Sequence, residues 1–351
     1  MKPNKPARKV AGKSPTNVPV KALHPHLQAL RDAVNQVDFN RFRFWFQLVA
    51  FVLFVYGGYL AIDLGSKLPF FSCGYNKEGR AGVCYLLPLQ HQLGRPLAML
   101  FTAAGLTILT GFLTFALWFI VLNKGWCGFV CPLGTLQDWI TALRKSLGIR
   151  YAKYSQSQFA QLTKIKYVLL ALMILIPLGI GGGLFSHDMS PPFCLICPAR
   201  MILPVFTADF SQFTVDFSTK TAVVMTVLGM LVTALFLVGS FVKKRFFCFF
   251  CPMSALHYLI SKAALFKLKK DGDKCTRCGD CYRVCDMEIK EIADDVTTKD
   301  IMTDDCTLCL KCVASCPEPG ALKATFCGIP IFEATEAGFI QRMQKGHSDA
   351  H

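Results

Sequence analysis

The sequence predicts an α-helical membrane protein, with four transmembrane helices built as a two-fold repeated unit and a small cysteine-rich α+β domain at the C-terminus. Three observations predict it. Four apolar runs are each long enough to cross a bilayer, which takes about 20 residues. A Cys-Pro segment occurs twice at the edge of those runs. Eight cysteines near the C-terminus repeat one spacing twice.

The apolar runs come first. Of 351 residues, 53% are hydrophobic and 17% are charged, against about 25% charged in a typical soluble domain. The expected spans are Phe44–Leu64, Pro96–Leu122, Ile165–Phe185 and Thr221–Val242. Before them, residues 1–43 carry Lys2, Lys5, Arg8, Lys9, Lys13 and Lys21, with Pro3, Pro6 and Pro15 among the prolines. This composition is expected to give a disordered cytoplasmic tail with no cleavable leader, so that the first span stays as an anchor.

Lys and Arg set the orientation. They crowd the N-terminal tail, the segment between spans two and three (Lys124, Arg144, Lys145, Arg150, Lys153, Lys164, Lys166) and the segment after span four (Lys243, Lys244, Arg245). The positive-inside rule then expects a multi-pass protein of the bacterial inner membrane with both termini cytoplasmic. The net charge of +15 is used up in this way, and nucleic acid is not expected as a partner.

The repeat comes next. Residues 131–143 read CPLGTLQDWITAL and residues 251–263 read CPMSALHYLISKA, each after a span and a basic residue. The membrane half, 44–270, is expected to be two copies of a two-span unit.

The cysteine-rich domain is expected over 271–326, with 327–351 as a C-terminal tail. About 55 residues are few from which to build a core by side-chain burial alone. Cys275, Cys278, Cys281 and Cys285 follow C-x2-C-x2-C-x3-C, and Cys306, Cys309, Cys312 and Cys316 repeat it, followed by Pro317. This is the bacterial ferredoxin spacing for [4Fe–4S] clusters, in which the fourth cysteine of each run serves the other cluster. One cluster is therefore expected on Cys275, Cys278, Cys281 and Cys316. The other is expected on Cys306, Cys309, Cys312 and Cys285. Zinc favours separated cysteine pairs, and disulfides do not persist in the cytoplasm. Asp286 stands where proline usually follows the fourth cysteine, a change that bears on potential or solvent access. Cys327 is read as incidental.

Three further pairs each end in Cys-Pro: Cys127/Cys131, Cys194/Cys197 and Cys248/Cys251. On the expected topology Cys127, Cys131, Cys248 and Cys251 share the cytoplasmic face. There a further metal or Fe–S centre, a redox-active dithiol and inert buried cysteines are all open. Cys194 and Cys197 share the outer face with Cys73 and Cys84, where disulfides or an outer metal site are open. His91, His187 and His257 form no paired set for a membrane haem, and no C-x-x-C-H is present.

The C-x3-C-P at Cys127–Pro132, its copy at Cys248–Pro252, the four spans and the two ferredoxin runs together resemble the NapH/MauN-type membrane ferredoxins. The cluster-bearing membrane part of NosR and the YccM-type proteins belong to the same wider group. The resemblance covers about residues 44–326. It implies an electron-transfer subunit without its own substrate pocket, passing electrons between cytoplasmic or quinone-pool donors and a membrane or periplasmic redox partner. Lys267, Lys269, Lys270 and Lys274 are candidates for docking an acidic ferredoxin or lipid. The second Cys-Pro copy has two residues between its cysteines where the group has three, and CLICP and the Cys73/Cys84 loop lie outside the pattern. Two alternatives are a copper reductase or assembly factor for a respiratory oxidase and an Fe–S redox sensor.

Overall fold

The computed structural model describes residues 38–57, 86–96, 103–152, 156–186, 189, 191–336 and 339–340. Cys73, Cys84, His187 and the basic tail before Asp38 lie outside them.

The membrane half is helical. Helix α1 (Phe39–Tyr56) starts at Asp38, whose carboxylate accepts from the Asn40 and Arg41 backbone N–H groups, the usual way to satisfy a first turn. A short α2 (Leu86–Leu93) precedes α3 (Ala103–Leu122). After a π-helical turn over Trp126–Val130, α4 (Pro132–Ser146) runs off the first Cys-Pro. The long α5 (Gln156–Gly181), two short helices α6 (Pro192–Leu195) and α7 (Pro198–Ile202), and the long α8 (Lys220–Val242) follow. Helix α9 (Pro252–Ser261) runs off the second Cys-Pro.

Two helices are long and apolar enough to cross a membrane, Gln161–Gly181 within α5 and Lys220–Val242, and a shorter apolar stretch covers Leu109–Leu122. Their outward faces carry exposed Leu113, Leu117, Leu175, Leu231 and Val238. Apolar side chains in that position fit lipid rather than water.

The C-terminal part is a three-stranded antiparallel sheet, β1 (Phe266–Lys270), β2 (Leu322–Phe326) and β3 (Ile329–Glu333), with β2 in the middle. Leu268 pairs with Ala324, and Ala324 with Phe332. Two of the three strands thus lie outside the expected 271–326. FKLKK reads as a basic flank, yet its alternation puts Leu268 into the core, which is the period of a half-buried strand. Cys327 and Gly328 join β2 to β3 with φ of 50° and 81°, as a tight hairpin turn requires. Three single-turn helices, α10 (Asp280–Arg283), α11 (Glu291–Asp294) and α12 (Lys311–Ala314), carry the cysteine loops.

The two parts are bolted together. Lys166 Nζ reaches Asp305 at 2.6 Å and Asp304 at 3.0 Å. Lys243 reaches Glu288 at 2.7 Å. Leu265 N–H donates to the Ile120 carbonyl at 2.7 Å, and Phe39 stacks on Phe332 with centroids 4.8 Å apart. Several of the cations that read as topology signals therefore also hold the C-terminal part in place.

Candidate functional site

Both ferredoxin loops wind alike. In the first, Arg277 and Gly279 take left-handed φ of 56° and 81°; in the second, Leu308 and Leu310 take 49° and 57°. These are the second and fourth residues after Cys275 and Cys306. Three of them bear a Cβ, which costs about 1–2 kcal/mol each in this region. Such strain persists where the surroundings impose it, and it clusters at functional sites. The winding turns backbone N–H groups inward, and Leu308 N–H points at Cys306 Sγ at 3.4 Å.

The sulfurs gather in two sets. Cys275, Cys278, Cys281 and Cys316 line one small cavity, with Lys270, Ala293 and Leu322. Cys285, Cys306, Cys309 and Cys312 line a second, with Leu268 and Ile289. Cys316 thus lines the cavity of the first run, and Cys285 that of the second. Four sulfurs around an apolar cavity fit a cubane. Burial pushes the Cys306 thiol up to about 11, against the pull of the Leu308 N–H, and pushes Cys316 up to about 11 as well. Bare thiolates are therefore disfavoured here, and positive charge bound among them would reverse that.

Asp286 is buried and pairs with Lys244 at 3.6 Å and with Lys311. The residue in place of the usual proline is thus part of the docking contact. Lys270 is buried too, its ammonium donating to the carbonyls of Ile292 at 2.7 Å and Asp295 at 2.6 Å. It braces the first loop and is not available for docking a partner.

A third group of cysteines stands where the two parts meet. Cys131 and Cys251 are the N-cap residues of α4 and α9, each with proline at the first helical position. Burial raises Cys131 to about 11, while N–H groups of Gly134 and Leu133 at its sulfur pull it down. Burial also raises Cys251, and the neighbouring Cys248, Cys127 and Cys131 add to the rise. So the structure brings Cys127, Cys131, Cys248 and Cys251 together. Gln137 lies among them, its amide nitrogen 3.8 Å from Cys248 Sγ and its oxygen accepting from Phe247 N–H at 2.9 Å. His257 Nδ1 is 3.3 Å from Cys127 Sγ. Among the described residues no three His, Cys, Asp or Glu side chains converge on one ion.

A buried clamp fixes this group. Asp138 accepts from Arg245 at 2.9 and 2.6 Å, from Arg43 at 2.6 Å and from Gln47 at 2.9 Å. Arg245 also donates to the Cys127 carbonyl at 2.8 Å, and Arg43 and Gln47 to the Gly128 carbonyl at 3.2 and 3.1 Å. Burial alone would raise the Asp138 carboxyl, but Arg245 and Arg43 overcome it and hold it far below the usual range. Its stabilising effect is therefore present above the ordinary carboxylate pKa of about 3.9 and is lost as the pH falls below it. Asp138→Ala leaves two guanidiniums buried without their carboxylate, at a cost of about 3–5 kcal/mol. The expected result is early loss of the folded form on heating in detergent, and an unchanged melting temperature would contradict the clamp.

The membrane-edge loop touches the second ferredoxin loop directly. A Cβ on Gly128, inside CGFVC, would lie 2.6 Å from the Thr307 carbonyl oxygen and 3.0 Å from the Cys309 Cα and N. Only glycine admits this approach.

The remaining predicted pair, Cys194 and Cys197, does not join this group. It lies at the α6–α7 turn, beside Gln90 of α2. Sequence reasoning missed Gly128, Gln137, Asp138, Arg245 and His257 as parts of the site. Asp138 as the single acid in a basic segment was the one signal available.

Comparison with known proteins gives concordant results. A family model described as a 4Fe-4S binding domain matches twice, over residues 104–150 and 225–271. A 4Fe-4S dicluster domain model matches residues 267–317. The chain is 26% identical to YccM of Escherichia coli over 70% of its own length and 62% of that protein's. It is 27% identical to the ferredoxin-type protein NapH of Haemophilus influenzae, over 80% of this chain and 88% of NapH. It is 27% identical to the regulatory protein NosR of Pseudomonas aeruginosa, over 53% of this chain and 22% of NosR. No solved structure matches.

Proposed function

We propose, from the premise that the chain belongs to the NapH/MauN/NosR-type polyferredoxin family and has an iron–sulfur electron-transfer role, that it conducts electrons between the cytoplasm and the membrane through three thiolate-held centres. Cys275, Cys278, Cys281 and Cys316 hold the first [4Fe–4S] cluster. Cys306, Cys309, Cys312 and Cys285 hold the second. Cys127, Cys131, Cys248 and Cys251 hold a third, at the membrane edge. Bound there, iron–sulfur clusters supply one-electron carriers whose potentials follow burial and hydrogen bonds to sulfur.

The protein's own residues do the rest. Asp138 and Arg245 fix the membrane-edge loop. Lys166, Asp304 and Asp305 hold the ferredoxin-like part against it. The observation that carries the reading is the Gly128 contact, which sets the two cysteine loops backbone to backbone. The repeated family-model match over the two Cys-Pro segments supports a cluster at the edge and a two-fold repeated membrane unit.

The topology belongs to the same proposal. Four spans, taken to include α1, α3, α5 and α8, would leave both termini in the cytoplasm, with the membrane unit over 44–270. The support is that Lys124, Lys166 and Lys243 meet the C-terminal part at one end of the apolar helices. A quinone, or a membrane or periplasmic redox protein, is the terminal partner.

Proteoliposomes test this. With dithionite outside, ferricyanide trapped within and decylubiquinone in the bilayer, the wild type should reduce ferricyanide well above the rate of protein-free vesicles holding the same quinone. The variant with Cys127, Cys131, Cys248 and Cys251 all changed to alanine should fall to that background. Equal rates for the two proteins would remove the membrane-edge station from the path.

A further inference from the structure

The CLICP segment is expected at an outer membrane edge, but the structure packs it against the middle of α8. A Cβ on Gly229, well inside Lys220–Val242, would lie 2.8 Å from the Leu195 carbonyl oxygen and 3.5 Å from Ile196 Cα. The chain then continues inward. Ala199, Ile202 and Leu203 form one apolar cluster with Phe51, Phe236 and Leu133, and both Cys131 and Cys197 pack against it. Leu133 directly follows the first Cys-Pro. The turn holding Cys194 and Cys197 therefore stands between the membrane-edge cysteines and the midsection of the apolar helices.

The turn is also held by a polar group. Gln90 is 1% exposed. Its oxygen accepts from Phe193 N–H at 3.1 Å, and its amide N–H donates toward Cys194 Sγ at 3.5 Å. A buried amide is costly to place in an apolar setting without partners, and two of its hydrogen bonds go to this turn and its sulfur. Two residues separate the two cysteines, the spacing of thiol–disulfide redox pairs.

We propose that Cys194 and Cys197 are a redox-active dithiol–disulfide pair inside the membrane half, a two-electron station beyond the membrane-edge centre. The source of electrons rests on the iron–sulfur reading above. On reduction the S–S bond breaks, two S–H bonds form, and two electrons from the iron–sulfur side and two protons from water are taken up. On reoxidation by a quinone the two thiols return two electrons and two protons, the disulfide re-forms and the quinone becomes hydroquinone. The pair would thus match one-electron carriers to a two-electron acceptor. Gln90 is its positioning residue, since a donor aimed at Cys194 Sγ favours the reduced form.

The test reads sulfur, not turnover. Purified full-length protein is poised with ferricyanide or with dithionite, denatured in a maleimide and mapped by mass spectrometry. The expected result is a Cys194–Cys197 disulfide in the oxidised sample and two alkylated cysteines in the reduced one. Thiols in both samples, a disulfide in both, or a disulfide to Cys73 or Cys84 overturns the proposal. The double variant Cys194→Ser, Cys197→Ser should keep its full iron content, and a loss of iron would make the pair a cluster ligand instead. Gln90→Leu should keep iron as well, while lowering the ambient potential at which the pair is half reduced. An unshifted half-reduction point would remove Gln90 from the account. Iron missing from the wild type would sink the cluster assignment alone, because the sulfur mapping does not depend on it.

Discussion

Cys316→Ala is expected to remove the cluster of the first cysteine run and to leave that of its own run intact. Cys316 faces the cavity of Cys275, Cys278 and Cys281, whereas Cys285 faces that of Cys306, Cys309 and Cys312. Losing one of four thiolates should cost that cubane, about four irons of the total. Cys316→Ala and Cys275→Ala should then give the same remaining EPR signal. Cys285→Ala and Cys306→Ala should share the other. If Cys316→Ala instead matched Cys306→Ala, each run would serve its own cluster and the crossed assignment would be wrong. The alanine variants also expose a structural cost. Cys281, Cys306, Cys312 and Cys316 are buried in the same core as Leu268, Ile289, Val313 and Leu322. A domain this small draws much of its stability from its clusters, so the variants should also become sensitive to proteolysis.

Gly128→Ala should break the connection without breaking either ferredoxin cluster. The new Cβ would meet backbone atoms of Thr307 and Cys309 at 2.6–3.0 Å, and backbone cannot step aside as a flexible side chain would. Overpacking of this kind costs about 1–3 kcal/mol, or about 5- to 150-fold in a docking equilibrium. Neither cluster-binding loop is itself altered, so iron content should hold. Magnetic coupling between the membrane-edge centre and the Cys306-run cluster should weaken, and transfer between them should slow by a similar factor. An unchanged rate with unchanged coupling would show that this contact is not the route.

What was legible follows from where the information lies. The ferredoxin runs declare themselves because six of their eight cysteines come in tight local loops, and only Cys285 and Cys316 need a long-range assignment. The apolar helices α5 and α8 are legible because lipid imposes a length and a composition. The Asp138 clamp is not, because its arginines lie 95 and 107 positions away, and Arg43 and Arg245 look like any other cation at a membrane edge. Gly128 hides as an unspecified position inside its motif, since its role is set by Cys309, far along the chain. Asp286 looked like a tuning substitution, and only the fold brings Lys244 and Lys311 to it. Strand β1 could have been found from the alternation of Phe266 and Leu268, but its three lysines masked it as a topology signal.

On the proposed reading, four cysteines at the membrane edge hold a third centre beside the two ferredoxin clusters. Anaerobic iron and sulfide analysis with EPR tests it most directly, on the wild type and on the variant lacking Cys127, Cys131, Cys248 and Cys251. The expected result is about twelve irons per chain, falling to about eight in the variant with loss of one EPR signal. About eight irons in both proteins, with identical spectra, would contradict it.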